Sequence, residues 1–287
     1  MRALILGSLV LLACAHSQTR SDSRAEFRIG ALKAVALKDG DIELEKPTDV
    51  FGIGRPASEV NDVLAAAGLP PEGSPLSIQP LLVWDDARVL LFDTGAGADP
   101  SVKAGRLQRS LAEAGVKAAD VTDIFISHGH FDHIGGLVVN GALAFPNAVV
   151  HIAAAEWASM QKDKEAAPIV AVIASKVATF EPGARLLPMV KAVDTAAHTP
   201  GHSSYEIESN GQKLFFTGDL VHHVVLSVRH PEWPNAWDID RPRAASLREE
   251  TLKRLAADHE LVFSGHFPYP GVGHVRALDS GFIWEAQ

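Results

Sequence analysis

The stretch FISHGHFDHIGGL, residues 125–137, places His128, His130, Asp132 and His133 within six consecutive positions. Imidazole nitrogen and carboxylate oxygen are the donors that zinc-like ions gather around a small sphere. In an extended run the alternating His128 and His130 lie on one side. Asp132 and His133 can join them only through a sharp turn, and Gly129 with the Gly135-Gly136 pair permits close backbone packing there. Asp132 is also placed to cap a helix starting near Ile134.

More donors stand at the ends of expected strands. His202 lies in HTPGHSS, Asp219 closes GQKLFFTGD, and His266 closes LVFSGH. Together His128, His130, Asp132, His133, His202, Asp219 and His266 are too many ligands for one tetrahedral zinc. They suit two divalent ions sharing one bridging carboxylate, with a position left open for water. Zinc is the expected metal, and the same donors accept Mn, Fe and Co. His16, His151, His230, His259 and His274 read as solitary core or surface histidines, and His198 and His223 are placed with them.

Around these residues the hydrophobic pattern changes period repeatedly. FRIGALKAVALKDGDIEL alternates loosely and reads as a hairpin turning at Asp39-Gly40. PLSIQPLLVW and ARVLLFDTG flank Asp85-Asp86 as a second hairpin. VTDIFISH, AFPNAVVHIA, GQKLFFTGD and LVFSGH read as further strands. ASEVNDVLAAAG and SVKAGRLQRSLAEAG carry helical spacing and stop at Gly68 and Gly115. AAEWASMQKDKEA follows as a helix. DRPRAASLREETLKRLAAD is another, with Asp240 as cap, Pro242 in its first turn, and Lys253 and Arg254 in its last. Strands paired by short turns among helices predict an α/β chain of α+β type, with two mixed sheets and helices outside them. No low-complexity linker interrupts residues 27–287, which read as one catalytic domain.

The first 20 residues are different: one arginine, an apolar run too short to span a bilayer, then small residues. They read as an export signal and the start of a tether. Cys14, the sole cysteine, follows Leu-Leu-Ala as in bacterial lipoprotein signals, and ordinary cleavage nearby is the alternative. The expected location is the periplasm or an outer-membrane anchor, with Cys14 as the only membrane attachment. No thiolate is then left to bind metal inside the fold. Hydrophobic residues at 47% against 21% charged support a large core, and a net charge of −9 disfavours a nucleic-acid partner.

In the segments FDTG (92–95), HGHFDH (128–133), TPGHSS (199–204), FTGD (216–219) and SGH (264–266), the chain resembles the metallo-β-lactamase fold superfamily, motif by motif and in order. The resemblance implies an αββα sandwich with the metals at one edge, between the sheets. It implies that His128, His130 and His202 hold one metal, that Asp132, His133 and His266 hold the other, that Asp219 bridges them, and that Asp93 orients a ligand. Asp219 and the lack of an internal cysteine set the chain apart from many true β-lactamases of this fold.

The segments FPNAVV (145–150), HTPGHSSYEIESNGQKLFFTGDL (198–220) and PYPGVGHVRALDSGF (268–282) are similar to the exported branch that contains methyl parathion hydrolase and relatives of the acyl-homoserine lactonases. That implies a dinuclear-metal hydrolase using a bridging hydroxide on lactones, carboxylic esters or phosphotriesters, with a homodimer as one assembly its relatives adopt. Asp132 or Asp219 could shuttle the proton to the leaving group. His222 stands where many lactonases of the branch carry tyrosine and is the outer candidate for that step. Two relatives of the same fold remain alternatives, a mononuclear iron sulfur dioxygenase and a glyoxalase II-type thiolester hydrolase. In SVRHPEWPNAWDID (227–240), a loop long enough for a lid, Trp233 and Trp237 could cover an apolar substrate group or the core.

Overall fold

The computed structural model describes residues 24–71 and 75–287, so Cys14 and the segment expected to be an export signal lie outside the described residues. Within them the strands form two seven-stranded mixed sheets and two small two-stranded ones. The first large sheet runs, in spatial order, Arg24–Ile29, Leu32–Leu37, Leu81–Trp84, Val89–Phe92, Asp123–Phe125, Val149–Ala153 and Val177–Phe180. Its last four strands are parallel and the others antiparallel. The second runs Arg185–Leu187, Val190–Asp194, Ser203–Ser209, Gln212–Phe216, Leu261–Phe263, Val272–Ala277 and Phe282–Ala286.

The period-two pattern explains why the sheets stack. Leu81, Val83, Leu90, Phe92 and Phe125 point from the first sheet into a common core with Tyr205, Ile207, Leu214, Phe216 and Phe263 of the second. The intervening Leu82, Leu91 and Ile124 point the other way, onto Leu107, Leu111, Ile134, Met160 and Ile173 from the helical side. On the far face of the second sheet, Phe215 and Val262 meet Leu252 and Leu255 of the helix Arg241–Asp258. Strands with both faces covered read as continuous apolar runs, as VLLF does. Burying each such leucine or phenylalanine contributes about 1.5–3 kcal/mol, so the four-layer αββα order follows from the alternation.

Several local expectations hold. Leu81–Trp84 pairs with Val89–Phe92 across Asp85-Asp86. Asp240 accepts from the Arg243 backbone nitrogen, with Pro242 in the first turn. The first hairpin turns elsewhere, at Gly30-Ala31 rather than Asp39-Gly40. Asp39 is buried, and its carboxylate accepts from the backbone nitrogens of Ala96 (2.9 Å) and Leu107 (2.7 Å), tying this strand end to the loop after Asp93. Gly40 instead begins a two-stranded pairing with Leu76–Ile78. No helix among the described residues is long and apolar enough to cross a membrane.

Candidate metal centre

Loops at the same edge of both large sheets carry the ligand-type side chains. The strand Asp123–Phe125 ends just before Ser127-His128, and the short helix Phe131–Ile134 carries Asp132 and His133. That helix sits against the backbone of residues 94–97: Thr94 donates to the His133 carbonyl, and a Cβ on Gly135 or Gly136 would lie 2.2 Å from Ala96 O or 2.0 Å from Thr94 O. The glycine pair is therefore what lets the two segments approach. Asp132 caps nothing. It lies inside the short helix, whose first flanking residue is His130, and its carboxylate faces His133 and His266.

Two groups of donors result. In one, His130 Nδ1 lies 2.8 Å from His128 Nε2 and 3.1 Å from His198 Nε2, and Asp219 Oδ2 lies 3.3 Å from His198 Nε2 and 3.5 Å from His128 Nε2. In the other, Asp132 Oδ2 lies 3.4 Å from both His133 Nε2 and His266 Nε2. Asp219 Oδ1 reaches this second group, 3.2 Å from His133 Nε2 and 3.0 Å from His266 Nε2. Each group can hold a metal ion, and Asp219 turns one oxygen to each.

The donor chemistry fits such ions. His133 Nε2 and Asp219 Oδ1 are buried and make no hydrogen bond among the described residues, a costly arrangement unless a cation receives their lone pairs. The electrostatics point the same way. Burial alone would raise the Asp132 carboxyl, but His133 and His266 beside it bring it down to about 2. Burial likewise opposes ionisation of Asp219, and the surrounding imidazoles, His133 first, hold it well below the usual carboxylate range. Both carboxylates are thus anionic at neutral pH.

His202 does not join either group. Its Nε2 accepts from the Asp219 backbone nitrogen at 2.8 Å, and its Nδ1 lies 2.9 Å from Thr195 Oγ1. Both ring nitrogens are occupied, so no lone pair is left for an ion, and burial pushes this imidazole down to about 3, keeping it neutral. His202 shapes the turn that carries Asp219: Gly218 there has φ 52°, and a Cβ on it would sit 2.6 Å from His202 Nε2. His198, four residues earlier and expected to be structural, fills the place foreseen for His202.

Other side chains aim the donors, as partners of ligating histidines commonly do. Asp93 Oδ2 accepts from His133 Nδ1 at 2.7 Å, the orienting role expected of it, while Asp93 Oδ1 accepts from Ser127 N. His266 Nδ1 donates to the Ser77 carbonyl at 2.8 Å. His198 Nδ1 donates to Asp238 Oδ1 at 3.0 Å. Buried Glu156 accepts from Gly129 N, Thr199 Oγ1 and Gly201 N, locking the HGH loop to the HTPGH loop. Asp238 and Glu156 escape a sequence reading because nothing local marks them: each lies tens of residues from its partners.

His222 is fully buried. Asn235 Nδ2 donates to its Nδ1 at 3.0 Å, which leaves Nε2–H to donate to Asp219 Oδ2 at 3.1 Å. Trp233 is buried against Val60 and Gly52 and stacks on His230, so it covers core. Trp237 is half-buried, 5.2 Å from the His222 ring and edge-on to Phe51. Of the loop expected as a lid, Trp233, Asn235 and Asp238 are buried, and Asn235 backs His222 while Asp238 backs His198. The centre opens to solvent at His130, the exposed member of its group.

The sequence pattern of the Metallo-beta-lactamase superfamily matches residues 73–266. An N-acyl homoserine lactonase of Bacillus cereus is 34% identical over 168 residues, 56% of this chain and 62% of that protein, so the chain spans about three fifths of that relative. The structure of AidC, a dizinc quorum-quenching lactonase in complex with a product, superposes with a TM-score of 0.86 at 29% identity, covering 92% of this chain and 97% of that one. The hydrolase AbOPH, of the beta lactamase superfamily, gives 0.86 at 26% identity, covering 93% and 98%. The two facing mixed sheets, the donor groups at their edge and the match across residues 73–266 lead to one conclusion: this chain belongs to the metallo-β-lactamase superfamily.

Proposed function

We propose that the protein is a dinuclear metal-dependent hydrolase acting on lactones or carboxylic esters. The observation that carries this reading is the division of Asp219, Oδ1 toward one donor group and Oδ2 toward the other. His128, His130 and His198 would hold one ion, Asp132, His133 and His266 the other, and Asp219 would serve both. Zinc is the preferred metal, in keeping with the likeness to a dizinc lactonase. When bound, such a pair polarises a scissile carbonyl and supplies a hydrolytic nucleophile from water at neutral pH.

The chain's own residues would do the rest. His222, donating to Asp219 Oδ2, fixes the shared carboxylate, and because both its nitrogens are engaged we assign it an anchoring role before any proton delivery. Asp132, anionic and beside His133 and His266, is the carboxylate placed to take up the proton released on hydrolysis. Phe131, 40% exposed beside His130, and Ile239, 70% exposed with its backbone on His198 O, offer apolar surface for an acyl group at the open side. Phosphotriesters would be a secondary substrate class. Export, with Cys14 as the lipid attachment, is proposed on the N-terminal sequence alone.

The test is metal content together with turnover. The protein lacking its first 20 residues would be assayed on a γ-lactone, a δ-lactone, an aryl ester and a phosphotriester, before and after chelation. Two ions per chain with chelator-sensitive lactone or ester hydrolysis is the expected result. One iron per chain with no hydrolysis of the four would overturn it.

A further inference from the structure

The two donor groups each contain one histidine backed by a carboxylate, but the carboxylates differ. Asp93, behind His133, receives its other hydrogen bonds from the Ser127 backbone and hydroxyl. Asp238, behind His198, faces a guanidinium: Arg248 Nη2 lies 3.2 Å from Asp238 Oδ2. The side chains are 2% and 0% exposed, so this is an ion pair fully removed from water. Arg248 comes from the long helix Arg241–Asp258 and also donates to the Pro231 carbonyl (Nε, 3.0 Å) and the Leu220 carbonyl (Nη1, 3.1 Å). One guanidinium thus grips the segment carrying Asp238 and the residue next to Asp219. A buried pair of this kind is weak evidence for stability, because desolvation offsets much of the attraction. Its value here lies in geometry: it fixes His198 and Asp219, two members of one donor group, relative to each other.

We propose that Asp238 and Arg248 are a positioning pair that aims His198 Nε2, and that they set the affinity of the protein for one of its two ions. The proposal rests on the dinuclear reading above. With Asp238 held by Arg248, its Oδ1 accepts from His198 Nδ1–H, and the Nε2 lone pair has no choice but the donor group. Without the pair, the imidazole is free to rotate and to change tautomer.

The experiment compares the wild-type protein with D238L/R248M, an apolar replacement of similar volume that leaves no unpaired buried charge. Zinc release is followed by chelator competition, with near-UV circular dichroism as the check on folding. The wild type should hold two ions. The variant should keep one with unchanged affinity and bind the other about 10–100-fold more weakly. R248K, which keeps a buried cation on Asp238, should bind the weakened ion more tightly than the double variant does. Wild-type affinity for both ions in folded D238L/R248M would overturn the proposal, as would equal weakening of both, which marks a purely structural role. A wild type that binds fewer than two ions would instead overturn the dinuclear reading. Should the double variant not fold, nitrogen-15 spectra of the zinc-loaded wild type decide: Nδ1–H on His198 is expected, and Nε2–H contradicts the proposal.

Discussion

His202 Nε2 accepts a hydrogen bond from the backbone nitrogen of Asp219 at 2.8 Å, so the second histidine of HTPGH builds the turn that carries the shared carboxylate. The first, His198, faces His128 and His130. Replacing His202 by phenylalanine should leave both ions in place and lower stability by about 1–3 kcal/mol, the cost of a buried amide without its acceptor. Replacing His198 by alanine should remove one ion. Metal counts on the two purified variants check this; loss of an ion from H202F alone would reverse the assignment.

Asp93 adopts φ 56°, a left-handed conformation that asparagine tolerates, so Asp93→Asn should preserve the backbone while removing the charge behind His133. Binding of one ion should weaken about 10–100-fold, and chelator competition reads the change. Unchanged affinity would mean that the carboxylate does not steer His133.

Glu156 receives three donors from two loops, and an amide in its place can accept with only one of its two terminal atoms. Glu156→Gln should therefore cost about 3 kcal/mol, read as a lowered urea midpoint at unchanged slope.

His223 supplies a pH test away from the donors. Its Nδ1 accepts from the backbone nitrogens of Val225 and Leu226, and burial pushes the imidazole down to about 4. The unfolded chain, with an ordinary histidine near 6.5, binds the extra proton first, so stability falls as pH drops from about 6.5 towards 4. The loss relative to His223→Gln should approach about 3 kcal/mol across that window. Urea unfolding of both proteins between these limits should give diverging curves; parallel curves would show that His223 is not the group responsible.

Much of this was legible in the sequence because it is local. The HGHFDH run sits at a strand end by its own hydrophobic pattern, and Asp219 and His266 follow short apolar strands that the sequence marks as runs, LFF and LVF. The choice between His198 and His202 is not local. Both border the same Thr-Pro-Gly turn, and contacts from distant segments, Glu156 on Thr199 and Gly201, Asp238 on His198, and Thr195 with Asp219 N on His202, set which ring faces the centre. Asp39-Gly40 has hairpin composition but serves as an anchor, because the amides of Ala96 and Leu107 need an acceptor. The hairpin at Asn210-Gly211, with φ of 50° and 74°, carried a strong local signal of its own. The edge strands Val177–Phe180 and Arg185–Leu187 are short and part-exposed, with little alternation to mark them.

The central claim is that Asp219 divides two ions between two sets of side chains. Anomalous diffraction from crystals of the zinc-loaded protein tests it most directly. The account predicts two zinc peaks, one contacted by His128, His130 and His198 and the other by Asp132, His133 and His266, with Asp219 between them. A single peak, or a zinc bound to His202, would contradict it.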